Sequence, residues 1–161
     1  MRLSEAAVKP RFSYADRLIQ PLPVDKISCT LLVDDDRINN FLNQRLLEGL
    51  NMTEKLLTAL NGKEALSMFE KECRESGCPA LVLLDVNMPV MNGFEFLEAY
   101  DRLDITPKEH VIIIMLTTSL HPRDVERVQQ LGIAGFMNKP LTKEKVNDIL
   151  KAHFNRELPL E

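Results

Sequence analysis

Three aspartates in a row, Asp34, Asp35 and Asp36, follow the aliphatic stretch Ser28–Val33. A fourth, Asp85, follows Leu81–Leu84, two hydroxyls (Thr117 and Thr118) follow Val111–Leu116, and Lys139 follows Gly135–Asn138. Each group stands directly after a short apolar run. If those runs are parallel strands of one sheet, their carboxyl ends converge on one edge. Carboxylates crowded there repel, by roughly 4 kcal/mol per pair at 4 Å with an effective dielectric of 20. A cation between them removes that cost, and hard oxygen donors suit Mg²⁺, which takes one or two carboxylates and keeps several waters. A carboxylate beside Mg²⁺, a lysine and a hydroxyl can accept a phosphoryl group. Asp85 would attack phosphorus and form an aspartyl phosphate. Lys139 and the metal would offset charge on the phosphoryl oxygens, and Thr117 would donate a hydrogen bond to one of them. A preformed nucleotide or flavin pocket is disfavoured, because the loop after the first run carries three negative charges where glycines and free N–H groups would be needed.

The elements that must position these residues follow a regular alternation. Ser28–Val33 is a buried strand by its β-branched and aliphatic content. Ile38, Phe41, Leu42 and Leu46 then recur at helical spacing. Glu54–Leu60 is a second strand, and Asn61 can cap a helix with Ala65, Met68, Phe69 and Cys73 on one face. Leu81–Leu84 is the third strand. Gly93–Leu103 is a helix with Phe96, Leu97 and Tyr100 inward, and Asp104–His110 is a polar loop. Val111–Leu116 is the most apolar strand and is expected to be central. Pro122–Leu131 is a helix with proline at its first turn, ending at Gly132. Gly135–Asn138 is a short last strand, and Thr142 caps a helix with Val146, Ile149, Leu150 and Phe154 inward. Strands alternating with helices imply an α/β fold with a parallel sheet, helices on both faces and right-handed crossovers. Five such units suggest the flavodoxin-like (βα)5 arrangement with strand order 2-1-3-4-5. Periodicity alone does not set that order.

Composition bounds the remaining choices. With 161 residues, 45% hydrophobic and 27% charged, the chain is an ordinary single globular domain. Its net charge of −4 carries no strong basic footprint for nucleic acid. No apolar run approaches the ~20 residues of a membrane span, and no signal-peptide pattern follows the first residues. A soluble cytoplasmic protein is expected. Residues 1–27 carry Pro10, Pro21 and Pro23 and little periodicity, so a flexible extension is expected there, with a helical turn or two over Tyr14–Gln20 before Pro21 stops it. The domain proper is expected at 28–155, with 156–161 as a tail. Cys29, Cys73 and Cys78 cannot all pair, which fits a reducing compartment. Cys73 and Cys78 lack a second cysteine pair to complete a zinc site. His110, His121 and His153 share no metal-ligand spacing. Met88 and Met91 are packing residues around a turn.

The residues at the strand ends resemble a known family. Leu32-Val33-Asp34-Asp35, then Leu83-Leu84-Asp85-Val86-Asn87-Met88-Pro89-Val90-Met91-Asn92-Gly93, then Leu116-Thr117 and Lys139-Pro140, are similar to the receiver domain of two-component response regulators. The resemblance covers Ser28 to about Asn155. It implies that Asp85 is the phosphoacceptor, receiving phosphate from a phosphohistidine of a sensor histidine kinase or a histidine phosphotransfer protein. Asp34 and Asp35 would hold Mg²⁺ with Asp85, and the backbone carbonyl of Asn87 would be a further ligand. Thr117 would be the switch hydroxyl, Lys139 would contact the phosphoryl group, and Phe136 would be the switch aromatic. Three aspartates leave the register open. The first two follow the strand directly, and Asp36 is then a cap for the first helix. Thr118 is larger than the small residue usual after the switch threonine, which narrows access to the phosphoryl group. The Lys139–Pro140 bond is expected to be cis. A chain ending soon after Phe154 implies a single-domain receiver acting through a downstream protein or an onward relay, without direct contact to nucleic acid or membrane. The runner-up is a haloacid-dehalogenase-type phosphatase using Asp34 and Asp36, which leaves Asp85 unexplained. A degenerate receiver serving only as an interaction module is a third reading, and the complete acidic set argues against it.

Overall fold

The computed structural model describes residues 26–105, 108–119, 121–131 and 133–159. The expected extension before Lys26, with its Tyr14–Gln20 turn, lies outside them, as does Gly132. Five strands, β1 (Ile27–Val33), β2 (Thr53–Ala59), β3 (Leu81–Asp85), β4 (Ile112–Thr117) and β5 (Gly135–Asn138), alternate with five helices. These are α1 (Arg37–Gly49), α2 (Gly62–Glu75), α3 (Gly93–Asp101), α4 (Pro122–Gln129) and α5 (Lys143–His153), with a 3₁₀ turn at Lys108–His110. All strand pairs are parallel, in the order β2-β1-β3-β4-β5. The middle strand is therefore β3, whose five residues are all buried. β4, expected at the centre for its apolarity, is interior but one place over, because a strand covered by helices on both faces is apolar wherever it lies inside the sheet.

Strand side chains alternate between two cores, as the two-residue period requires. Leu31, Val33, Val82, Leu84, Ile113 and Met115 face α2, α3 and α4, where Phe69 and Phe96 are fully buried. Leu32, Leu81, Leu83, Ile114 and Leu116 face α1 and α5. Each aliphatic side chain so buried contributes roughly 1.5–3 kcal/mol relative to exposure.

The helix starts read from sequence hold. Asn61 accepts the Glu64 N–H, and Thr142 accepts the Lys145 N–H. Asp36 accepts N–H groups from Ile38 and Asn39 at 2.8 and 3.4 Å, so the third aspartate is the cap of α1. Asn92 and Glu95 form a reciprocal capping box at α3. The Lys139–Pro140 bond is cis.

Two features depart from the reading of the sequence. Ile38, Phe41 and Leu42, periodic as core residues are, stand 68%, 59% and 57% exposed, while α1 buries Asn40 and Leu47 instead. Periodicity locates an apolar stripe but not what it faces. The cysteines also differ: Cys73 is joined to Cys78 by a disulfide, and Cys29 is left as a buried free thiol.

Candidate functional site

Sheet register brings the acidic residues together. Val33, the last residue of β1, is paired with Leu84 and Ala59, so Asp34 emerges beside Asp85. Asp34 N–H donates to the Ala59 carbonyl at 3.1 Å, which extends the ladder by one residue. Thr117 at the end of β4 is paired with Asn138, and Lys139 N–H donates to the Thr117 carbonyl at 2.9 Å. Lys139 thus leaves the sheet at the same edge. One oxygen each of Asp34, Asp35 and Asp85 lies within 4.8 Å of the others. Asp34 and Asp85 are 4% and 8% exposed, whereas Asp35 faces solvent.

Lys139 bridges the two buried carboxylates. Its Nζ is 2.8 Å from Asp34 Oδ2 and 3.1 Å from Asp85 Oδ1. The other Asp34 oxygen accepts the Asp36 N–H at 2.9 Å. Asp85 Oδ1 also accepts the Val86 N–H at 2.8 Å, so both of these contacts fall on the same oxygen. Burial raises the Asp85 carboxyl above the ordinary aspartate range; Lys139 opposes the rise and Asp34 adds to it. Burial pulls Lys139 down, but its bond to Asp34 and the charges of both carboxylates outweigh this and hold it above the usual lysine value. Lys139 is therefore a cation and the trio is crowded, with a net local charge near −2 when all three carboxylates are ionised. Such a cluster of hard oxygens fits a small divalent cation.

Thr117 is buried, and its hydroxyl donates to the Ser119 carbonyl at 2.8 Å while accepting the Ser119 N–H at 3.2 Å. It is engaged with its own loop. Phe136 in β5 is half-buried against the α2–α4 core. Thr118 is exposed and lines a cleft of about 500 Å³ together with Asp34, Leu42, Leu46, Lys139 and Pro140. It therefore sits at the mouth of the acidic pocket. Asn87 is exposed in the segment after β3.

The chain and its fold are matched in known proteins. A family model described as "Response regulator receiver domain" fits residues 30–151. The chain belongs to the response regulator receiver family. Receivers act in two-component and phosphorelay signalling, with histidine kinases or phosphotransfer proteins on one side and effectors on the other. Two-component response regulator 24 of Arabidopsis thaliana is 31% identical over 137 residues, which are 84% of this chain and 91% of that one. Hybrid signal transduction histidine kinase B of Dictyostelium discoideum is 30% identical over 141 residues, 81% of this chain but 7% of the kinase. The solved two-component response regulator of Cytophaga hutchinsonii superposes with a TM-score of 0.72 at 28% identity, covering 81% of this chain and 99% of that one. The dehalogenase-type reading fails on this family match, and on Asp36, whose carboxylate serves the α1 N-terminus.

Several residues around this receiver's pocket have structural roles that the sequence pattern did not reveal. Asn40 is buried, and its Nδ2 donates to the carbonyls of Asp34 and Ala59 at 2.9 and 3.1 Å, clamping α1 to the strand ends. Gly93 has a steric reason that only the fold exposes: a Cβ there would lie 2.5 Å from the Asp85 carbonyl oxygen and 2.8 Å from Met115 Cε. Val90 has φ of 69° and is 75% exposed, and Met91 N–H donates to Pro89 O across it at 2.8 Å. That is a γ-turn of the rare, strained kind, unusual for a β-branched residue. Its ends are held by Gly62 N–H to Met91 O and Gly93 N–H to Val86 O, both 2.9 Å.

Proposed function

We propose that Asp85 is the phosphoacceptor of this receiver and that its donor is a phosphohistidine on a sensor kinase or histidine phosphotransfer protein. The observation that carries the reading is the Lys139 ammonium bridging Asp34 and Asp85, with Asp35 within 4.8 Å of both. Asp85 Oδ1 is occupied by Lys139 and the Val86 N–H, so Oδ2 is the attacking oxygen. A P–O bond forms to Oδ2 as the P–N bond to imidazole breaks, and the departing imidazole takes up a proton. Asp34, Asp35, Asp85 and the Asn87 backbone carbonyl would hold Mg²⁺, which when bound offsets charge on the phosphoryl oxygens. Lys139 supplies the protein's own cation for the same charge. Thr117 exchanges its bond to Ser119 for one to a phosphoryl oxygen, and Phe136 moves into the space released. That is a two-state element biased by a local charge change. Any self-phosphorylation or dephosphorylation is chemistry of this same carboxylate.

The apolar stripe of α1 supports a protein donor. Leu42 and Leu46 share one cleft with Asp34 and Lys139, and exposed Ile38 and Phe41 stand beside Leu42 on the helix. A donor seated on that stripe would lie against the pocket mouth.

The test is labelling by acetyl phosphate or phosphoramidate with and without Mg²⁺. Wild type should be labelled only with the metal, and Asp85→Asn not at all; equal labelling of the variant overturns the assignment. Among donors, Phe41→Asp should slow transfer from a phosphorylated histidine domain at least tenfold while leaving acetyl phosphate labelling within twofold.

A further inference from the structure

Far from the acidic pocket, at the opposite edge of the sheet, stands a second piece of chemistry that phosphotransfer does not use. Cys73 lies in the last turns of α2 and Cys78 in the segment entering β3, and a disulfide joins them. The reversal between them is built into the backbone. Ser76 caps α2 by donating its N–H to Glu72 O. Gly77 then takes φ of 101°, with nothing within 4 Å of where a Cβ would stand. A residue with a Cβ resists that conformation, so glycine is what lets Cys78 turn back under the helix.

Both sulfur-bearing residues are half-buried and line an open cleft of about 480 Å³ with Arg74, Leu103 and Ile105. A small thiol or disulfide can therefore reach them, past a rim that carries Glu70 and Asp104 as well as Arg74. Cys29 is the contrast. It is 5% exposed, and burial pushes its thiol up to about 11. A neutral, enclosed thiol is a poor nucleophile, so Cys29 takes no part in exchange.

We propose that Cys73 and Cys78 form a reversible two-electron redox site that exchanges with low-molecular-weight thiols and disulfides, independently of Asp85. In oxidation, one thiolate of the pair attacks a sulfur of glutathione disulfide; a mixed disulfide forms and one glutathione leaves. The second cysteine, as thiolate, attacks the protein-bound sulfur of that mixed disulfide and the second glutathione leaves. The protein loses two electrons and two protons, and one glutathione disulfide becomes two glutathiones. Oxidised, the site staples the end of α2 to the start of β3; reduced, it frees the turn at Gly77.

The full chain is equilibrated in buffers of graded glutathione-to-glutathione-disulfide ratio, quenched with iodoacetamide under native and then unfolding conditions, and mapped by mass spectrometry. The expected result is an all-or-none transition within the graded series. Cys73 and Cys78 lose two hydrogens together and are joined in one cross-linked peptide, while Cys29 is alkylated only after unfolding. Cys73→Ser and Cys78→Ser should each replace the transition by a glutathione adduct on the remaining partner. A dithiol in the most oxidising buffer, a disulfide that survives the most reducing one, or a cross-link to Cys29 would each overturn the proposal from the wild type alone.

Discussion

Replacing Asp85 by asparagine should make the metal-free protein more stable. The side chain keeps its shape, and its amide oxygen can still accept the Val86 N–H that Asp85 Oδ1 accepts at 2.8 Å. What disappears is a charge. Asp34 and Asp85 have oxygens within 4.8 Å of each other, a repulsion of about 3.5 kcal/mol at an effective dielectric of 20. Lys139, 3.1 Å from Asp85, offsets that with an attraction of about 5 kcal/mol on the same scale. Pair terms alone thus favour the ionised form by at most about 2 kcal/mol. Taking a carboxylate out of water costs several kcal/mol after relaxation, and Asp85 is only 8% exposed. Desolvation wins, in keeping with a carboxyl held above its ordinary range chiefly by burial.

The net gain for Asp85→Asn in chelator is on the order of 1 kcal/mol, or a melting temperature higher by about 2–4 °C for a chain of this size. The sign of the pH dependence follows from the raised pKa. The cost of ionising Asp85 is absent below the unfolded-state pKa and grows as pH rises toward the folded value, so it is fully present at neutral pH. The variant's advantage should therefore shrink as the solution is acidified. Mg²⁺ reverses the ranking. A ligand at 100 times its dissociation constant adds about 2.7 kcal/mol to the protein that binds it, and the variant has lost one donor. Thermal melts of both proteins, in chelator and in millimolar Mg²⁺ at neutral pH, check all of this. A variant that melts lower without metal, or one that keeps the full Mg²⁺ response, would refute the reasoning.

Asp35→Asn should also raise the metal-free melting temperature and blunt the response to Mg²⁺, by less than Asp85→Asn because Asp35 faces solvent; the same melts read it, and an unchanged Mg²⁺ response would place Asp35 outside the metal site. Val90→Asn should stabilise the fold by about 1 kcal/mol, since a left-handed backbone costs a β-branched residue roughly 1–2 kcal/mol and asparagine much less; a urea midpoint that falls would show that the γ-turn carries no strain. Gly93→Ala should destabilise by about 1–3 kcal/mol through overpacking against the Asp85 carbonyl and Met115, and should slow acetyl phosphate labelling because the strand end that carries Asp85 must shift; a neutral urea midpoint would contradict the close approach. Phosphorylation, or a phosphoryl mimic, should change amide exchange most in α4, β5 and α5, where Phe136 and the segment after Thr117 lie; changes confined to α1 would exclude the switch.

The strand-helix alternation, the caps at Asp36, Asn61 and Thr142, and the convergence of Asp34, Asp35, Asp85, Thr117 and Lys139 on one edge were all legible in the chain. Each depends on local periodicity, on a capping oxygen, or on the rule that parallel strands share a carboxyl edge. The outward face of Ile38, Phe41 and Leu42 was not legible. A 3.6-residue stripe has the same spacing whether it meets a core or a partner, and only the docking of α1 through Asn40 and Leu47 turns it to solvent. The lysine bridge between two buried carboxylates, the crowding at Gly93 and the union of Cys73 with Cys78 belong to the same class. They are distances between residues brought together by register, turn and crossover, and a linear pattern encodes residue types in order without encoding those distances.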